Sequence, residues 1–176
     1  MLNYIGEYSN NIYIYLGCNV MKINILCIGK IKEKFYTQAC NEYLKRLSKF
    51  HNVNIIELEE EKLVKNATQA DIAKVVVKES MKFDKYMKGY NIVLDIEGES
   101  LNSVEFAKKI DKIAQTHFVI NFIIGGSYGL SDELKKRADY RFSFSKLTFP
   151  HQLMRVILLE QVYRATAINN NITYHK

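Results

Sequence analysis

The sequence has no tryptophan, one proline and three cysteines among 176 residues. The cysteines form no CxxC pair and their odd number leaves one thiol over, so we expect neither a disulfide framework nor a structural zinc site. The longest apolar runs, residues 118–124 and 156–159, are far shorter than the roughly 18 residues of a membrane span. We therefore expect a cytoplasmic protein that contains no metal and does not enter the membrane.

The composition is that of an ordinary globular protein. Hydrophobic residues make up 48% of the chain and charged residues 25%, and Lys+Arg exceed Asp+Glu by 25 to 19, a net charge of +6. A chain of this length buries roughly 70% of the surface of its unfolded form, enough for a substantial core. The basic charge favours an anionic partner such as nucleic acid, although many proteins without such a partner are equally basic.

The first twenty residues differ from the rest. They are rich in Asn and Tyr, contain no Lys or Arg, and lack the basic start and apolar stretch of a signal peptide. Met21 follows, and then the apolar run KINILCIGK, which is typical of an opening strand. We therefore expect one functional domain, residues 21–176, and a dispensable N-terminal extension, residues 1–20.

Hydrophobic periodicity alternates along the domain between strand and helix. The predicted strands are residues 23–28, 53–58, 91–96, 118–124 and 140–144. The predicted helices are residues 33–49, 68–88, 102–114, 131–137 and 150–168. This alternation predicts an open, mostly parallel α/β sheet.

Three segments follow strands and are expected to meet at one edge of that sheet. They are the loop GGSYG (residues 125–129), Gly98 and the stretch FSKLTF (residues 144–149). The loop matches neither GxGxxG nor a P-loop, so ligand binding and a plain tight turn are equally good interpretations of it alone. Because the segments supply no metal-ligand set and no catalytic triad, a pocket there suits a cofactor that carries its own reactive group.

The last helix is apolar almost all round, which predicts burial on every side. One face would pack on the sheet and the other on a second subunit, so a homodimer is favoured over a fully internal helix. Glu160 and Arg164 are spaced to pair with each other, and Arg155 can satisfy backbone carbonyls. An arginine on so apolar a helix also suits an anionic partner, which makes Arg155 and Arg164 candidates for contacting RNA or a substrate.

Lysines form two groups. Lys30, Lys32 and Lys34 crowd an early loop, and Lys74, Lys78, Lys82, Lys85 and Lys88 follow helical spacing. A lysine stripe is most often a solvated helix face. No basic segment interleaved with aromatic residues stands out as a platform for stacking bases.

Several motifs together resemble one family. IGGSYG, SFSKLTFPHQLMRVILLEQVYRA and the terminal YHK, with KINILCIGKIKEKFY and LDIEGESLNSVEFA, are similar to the SPOUT methyltransferases that modify a pseudouridine of large-subunit ribosomal RNA. The similarity covers residues 21–176. It implies a C-terminal trefoil knot, S-adenosylmethionine as cofactor, and a homodimer whose active site combines both subunits. The implied product is N3-methylpseudouridine in 23S rRNA of the assembled ribosome.

The resemblance also implies a set of cofactor-binding positions. Leu94, Gly125 and residues 144–149 match them, in the loops that the strand-end argument selects. With the neighbouring glycines included, the predicted set is Leu94, Gly125, Gly126, Gly129, Phe144, Ser145, Lys146, Leu147, Thr148 and Phe149.

Methyl transfer to N3 requires the base to be placed in line with an activated methyl group and its imide proton to leave. Cations that stabilise the developing negative charge matter more here than a strong base. The match makes Arg164, Tyr174 and His175 candidates for positioning the substrate, with His175 or His151 as proton acceptor. Arg155 and Lys176 are the predicted RNA contacts.

Two alternatives share the predicted sheet. A nucleotide- or flavin-binding α/β enzyme would use the same glycine loop for a different ligand. A non-catalytic ribosome-associated factor would bind rRNA without any cofactor. The combination of FSKLTFP with the glycine loop favours the methyltransferase.

Overall fold

The computed structural model describes residues 20–175, so the predicted extension, residues 1–20, lies outside the described residues except for its last position. The strands are β1 (Lys22–Ile28), β2 (Asn52–Leu58), β3 (Tyr90–Ser100), β4 (Val119–Ile124) and β5 (Tyr140–Ser143). The helices are α1 (Lys34–Leu47), α2 (Gln69–Met81), α3 (Ser103–Ala114), α4 (Asp132–Arg137) and α5 (His151–Asn169), with a 3₁₀ turn at Asp84–Tyr86.

The strands form one sheet in the order β2-β1-β4-β3-β5, and each neighbouring pair is parallel. This confirms the predicted α/β architecture, including the central, almost wholly buried β4. All five carboxyl ends therefore lie along the same edge, where open α/β sheets bind ligands.

A row of buried asparagines fixes the register of the three central strands. Asn121 of β4 stands opposite Asn24 of β1 and Asn91 of β3. The Asn24 amide donates to Asn121 Oδ1 at 2.8 Å, and the Asn121 amide donates to Asn91 Oδ1 at 2.9 Å. A slip of one residue would break this row and turn the apolar side chains to the wrong faces, so the row specifies a single pairing.

The two faces of the sheet are covered unequally. Helices α1, α3 and α5 pack on one face over the larger core, which includes Phe106, Phe122 and Leu158. The smaller core on the other face centres on Phe83 and Leu134. The first residues of three predicted helices act as caps: the side chains of Thr68, Asn102 and Ser131 accept backbone N–H groups at the starts of α2, α3 and α4.

Two predicted boundaries are wrong. The second helix ends at Met81 rather than near Lys88, because Phe83 turns into the smaller core and the 3₁₀ turn follows. Strand β3 does not end before Gly98 but continues through it, after a register shift against β5 between Leu94 and Glu99. A Cβ on Gly98 would lie 2.7 Å from the backbone of Arg141, so only glycine lets the two strands pass this closely.

His51 is buried between the start of β1 and helix α5. Its Nδ1 accepts the backbone N–H of Met21 at 3.4 Å, and its Nε2 lies 3.1 Å from Thr166 Oγ1. The Thr166 hydroxyl donates to the carbonyl of Val162, so the ring donates from Nε2 and is neutral. Burial lowers the pKa of His51 to about 4.

This burial predicts acid lability. Between pH 6.5 and about 4 the unfolded chain binds a proton at His51 that the folded chain does not, so stability present above pH 6.5 is lost as the pH falls. The loss is on the order of 3 kcal/mol. We expect the free energy of unfolding, measured with denaturant at a series of pH values in this range, to rise less steeply with pH in His51→Gln than in the wild type. The difference in slope should correspond to about one proton. Equal slopes would contradict the assignment, as would an NMR titration of His51 near its ordinary pKa.

Candidate active site

A cavity of about 690 Å³ opens at the carboxyl ends of β3, β4 and β5, and we call it the strand-end cavity. Its volume is typical of sites for small molecules and cofactors. Three segments and the start of α5 form its walls. They contribute Leu94, Asp95, Ile96, Ile124, Gly125, Gly126, Ser127, Tyr128, Gly129, Leu130, Lys135, Phe142, Ser143, Phe144, Ser145, Leu147, Thr148, Phe149, Pro150, His151 and Met154.

Most predicted cofactor residues are in this lining. Residues 94, 125, 126, 129, 144, 145 and 147–149 all contribute, which brings together positions up to 55 places apart in the sequence. Lys146 is not in the lining, and its ammonium donates to the carbonyl of Ile96 at 3.3 Å. Gly98 is also not in the lining, because β3 carries it past this edge to pair with β5.

The glycine loop folds back on itself. The N–H of Gly129 donates to the carbonyl of Gly126 at 3.1 Å, and Gly129 has a φ of +81°. A Cβ on Gly125 would lie 2.7 Å from the carbonyl group of Gly129. The loop is therefore a tight turn that also forms part of the cavity wall, and ligand binding by it stays a prediction.

The end of α2 supports this loop, a role that the sequence analysis missed. The Glu79 carboxyl is buried and accepts the N–H of Glu61 at 2.9 Å, and burial raises its pKa. A Cβ on Gly126 would lie only 2.7 Å from Oε2 of Glu79. Ser80 Oγ accepts the N–H of Ser131 at 2.9 Å. No sequence signal distinguishes Glu79 from the other charged residues of α2, because its burial is visible only in the structure.

Asp95 ties two further walls together. It is buried and accepts from the Arg141 guanidinium at 2.7 Å, while the Lys135 ammonium lies 3.4 Å from the same oxygen. Burial alone would raise the pKa of Asp95, but the hydrogen bond from Arg141 and the charge of Lys135 bring it below its ordinary value. The carboxylate is thus ionised and fixed by β5 and α4, and it places a negative charge at the cavity wall.

His151 stands at the start of α5 and lines the cavity. Burial lowers its pKa, and the nearby charge of Arg155 lowers it further. The imidazole is therefore a neutral acceptor near pH 7, which is the protonation state that a proton acceptor requires.

The predicted RNA contact of Arg155 is wrong, because its side chain is completely buried. Its guanidinium donates to Glu57 Oε1 at 2.7 Å and to the carbonyls of Ile28 and Gly29 at 3.0 and 2.8 Å. Arg155 thus fastens the first turns of α5 to the carboxyl ends of β1 and β2. The interpretation that it satisfies backbone groups is the one that holds.

The other predicted catalytic residues form a separate polar cluster, which we call the tail cluster. Glu160 Oε1 accepts from both Arg164 and the Tyr174 hydroxyl, the latter at 3.1 Å. The guanidinium of Arg164 lies 4.9 Å from the centre of the Tyr174 ring and 3.3 Å from Nδ1 of His175. Burial and hydrogen bonds to Tyr43 and Glu160 raise the pKa of Tyr174 to about 12. Lys176 lies outside the described residues.

The tail cluster is not part of the strand-end cavity of its own chain. Glu160 is nine residues beyond His151 on one continuous helix, a separation of about 14 Å at 1.5 Å per residue. Arg164, Tyr174 and His175 contribute nothing to the cavity lining. The structure therefore separates His151 from the other predicted catalytic residues.

None of the helices in residues 20–175 has the length and the apolar character of a membrane span. Within the same range, no three His, Cys, Asp or Glu side chains lie together as metal ligands would.

Comparison with known proteins identifies the class. The family model described as a predicted SPOUT methyltransferase matches residues 21–175, and the chain belongs to this family. A protein of Clostridioides difficile (strain 630) is 48% identical over 159 residues, covering 89% of this chain and all of its own, and is named ribosomal RNA large subunit methyltransferase H. A protein of Malacoplasma penetrans (strain HF-2) with the same name is 45% identical over 157 residues, with the same coverage.

A solved structure agrees at the level of the fold. A probable methylase family protein from Haemophilus influenzae Rd KW20 aligns with a TM-score of 0.53 at 15% identity, over 88% of this chain and 70% of its own. The five-stranded parallel sheet fits the knotted architecture of the family, as the resemblance implied.

The cofactor of SPOUT methyltransferases is S-adenosylmethionine, and the strand-end cavity suits it. Apolar side chains such as Leu94, Ile124 and Met154 provide surface for a flat aromatic ring. Gly129 has open space where a side chain would stand, so its backbone is accessible. The ionised Asp95 at the wall is already paired with Arg141 and Lys135, so its charge is balanced within the chain.

The glycine loop gives a sharp test of this site. In Gly125→Ala the new methyl group meets backbone of Gly129 rather than a movable side chain, so the loop must shift. We expect S-adenosylmethionine affinity, measured by calorimetry, to fall roughly tenfold or more. The matched control is Glu133→Ala in α4, an exposed residue that lies just beyond the loop and outside the cavity lining, and it should bind like the wild type. Equal affinity in Gly125→Ala and wild type would contradict the assignment.

Proposed function

We propose that the chain, acting as a homodimer, transfers a methyl group from S-adenosylmethionine to N3 of a pseudouridine in 23S rRNA of the assembled ribosome. The observation that supports the proposal is the strand-end cavity, whose lining contains nine of the ten predicted cofactor residues, all but Lys146. The close relatives named ribosomal RNA large subunit methyltransferase H support the substrate class. A flavin enzyme or a non-catalytic factor has no comparable support.

The bound cofactor supplies a methyl group already activated by the sulfonium. The protein then has two tasks, to hold the base in line and to accept the N3 proton. His151, neutral and at the cavity wall, is the acceptor favoured by position. Arg164 offers a cation for the charge that develops on the ring, with Tyr174 and His175 beside it.

The homodimer follows from where these groups lie. The tail cluster is held too far along α5 to serve the cavity of its own chain. The tail cluster of a second copy can complete it, and Lys176 stays a predicted RNA contact. The half-buried apolar residues of α5, including Val156, Ile157 and Tyr163, suit such an interface. The unit proposed to carry the activity is residues 21–176.

The proposed reaction is tested by tritium transfer. Ribosomes from cells that lack the modification are incubated with the protein and S-adenosylmethionine labelled in the methyl group. We expect label in 23S rRNA, and mass mapping should place it on one pseudouridine, since N3 of that base is the proposed acceptor. Assembled ribosomes should be better acceptors than isolated large subunits.

The control is the Gly125→Ala protein, which should transfer little label at limiting cofactor. If cofactor binding is intact and no ribosomal preparation becomes labelled, the proposed substrate is wrong. If label appears on another base, the position is wrong and the class of reaction stands.

A further inference from the structure

The segment that follows β1 combines positive charge with an exposed aromatic ring. Lys30, Lys32 and Lys34 are all exposed, and Phe35 keeps 58% of its surface accessible. No aromatic platform beside these lysines was predicted from the sequence, but in the structure Phe35 is exposed next to Lys34. We call residues 30–35, which are the loop after β1 and the first two residues of α1, the basic-aromatic loop.

This loop is fixed beside the strand-end cavity. The N–H of Ile31 donates to Glu57 Oε1 at 2.8 Å, and the N–H of Lys32 donates to Gln152 Oε1 at 2.8 Å. Gln152 adjoins His151 of the cavity wall, and the charge of Lys32 contributes to lowering the pKa of His151. Two backbone anchors and this electrostatic contact put the lysines at the border of the cavity.

The lysine charges are available to a partner. Within residues 20–175, none of the three forms an ion pair, whereas Lys74, Lys82, Lys109 and Lys135 each pair with a carboxylate. Glu33 is the one acidic residue of the loop, so the loop carries a net charge of +2 by sequence, three lysines less one glutamate. Unpaired lysines beside an exposed ring match the way proteins hold RNA, with cations on phosphates and aromatic side chains against unstacked bases.

We propose that the basic-aromatic loop is a contact surface for rRNA at the entrance to the cavity, with its lysines on phosphates and Phe35 against a base flanking the target. This proposal rests on the proposed function and specifies which surface of the same chain meets the RNA. It replaces Arg155, which is buried, as the RNA contact nearest the cavity.

The test is methylation of ribosomes that lack the modification, at saturating S-adenosylmethionine and a series of salt concentrations. In the triple variant Lys30→Gln, Lys32→Gln and Lys34→Gln, kcat/KM for ribosomes should fall roughly tenfold or more through KM. The slope of log kcat/KM against log salt concentration should become shallower by about 2, at roughly 0.7 per phosphate contact. Calorimetry should show unchanged cofactor affinity.

A matched triple variant removes the same charge at the opposite edge of the sheet: Lys45→Gln, Lys49→Gln and Lys112→Gln, at the C-terminal ends of α1 and α3. It should keep the wild-type salt slope. Phe35→Leu should lose roughly fivefold or more in kcat/KM, because it lacks a stacking face, and Phe35→Trp should retain activity.

The outcomes separate the two proposals. If the wild type methylates ribosomes and both triple variants behave alike, the basic-aromatic loop is not the RNA surface and the proposed function stands. If the wild type binds S-adenosylmethionine but methylates no ribosomal preparation, the proposed function fails and this inference fails with it.

Discussion

The buried guanidinium of Arg155 holds the site together. It joins α5 to the ends of β1 and β2 through Glu57 and the carbonyls of Ile28 and Gly29. Its two terminal nitrogens are satisfied by the Glu57 carboxylate and by backbone carbonyls at the end of β1, whereas the buried Nε has no hydrogen-bond partner among the described residues. The position of α5 is thereby set relative to the carboxyl ends of the strands.

That position determines what each end of the helix can reach. The first turn presents His151 to the strand-end cavity and Gln152 to the basic-aromatic loop. The second half carries Glu160 and Arg164, on which Tyr174 and His175 fold back. Because α5 is one continuous, rigid helix, the strand-end cavity lies at one end of it and the tail cluster at the other. This separation is the reason why we propose that a complete site combines two chains.

Much of this architecture was predictable from the sequence, because it depends on local patterns. The five strands, the three capped helix starts and the convergence of the glycine loop with residues 144–149 follow from periodicity, cap residues and parallel topology, whereas Leu94 came only from the family resemblance. The family resemblance added the cofactor, which periodicity alone does not contain.

What could not be predicted depends on contacts between distant residues. From the sequence, both an anionic ligand and backbone carbonyls were candidate partners for Arg155. The structure shows that the carbonyls of Ile28 and Gly29 are its partners. In the sequence, Gly98 predicts the end of a strand. Only the shifted pairing with β5 shows that the strand continues. The exposure of Phe35 and the separation of the tail cluster from the cavity likewise depend on the tertiary structure.

The account is tested most directly by mixing two defective chains. One carries Gly125→Ala in the cavity, and the other ends at residue 173 and lacks the tail. If each site is built from the cavity of one chain and the tail of the other, each protein alone should transfer little label at limiting S-adenosylmethionine, and half of the dimers in an equal mixture carry one intact site. The mixture should then methylate ribosomes at roughly a quarter of the wild-type rate. Thermal unfolding of each variant confirms that both are folded, and tagged chains confirm exchange of subunits. A mixture no more active than its separate components would contradict the shared site, as would full activity in the chain without its tail.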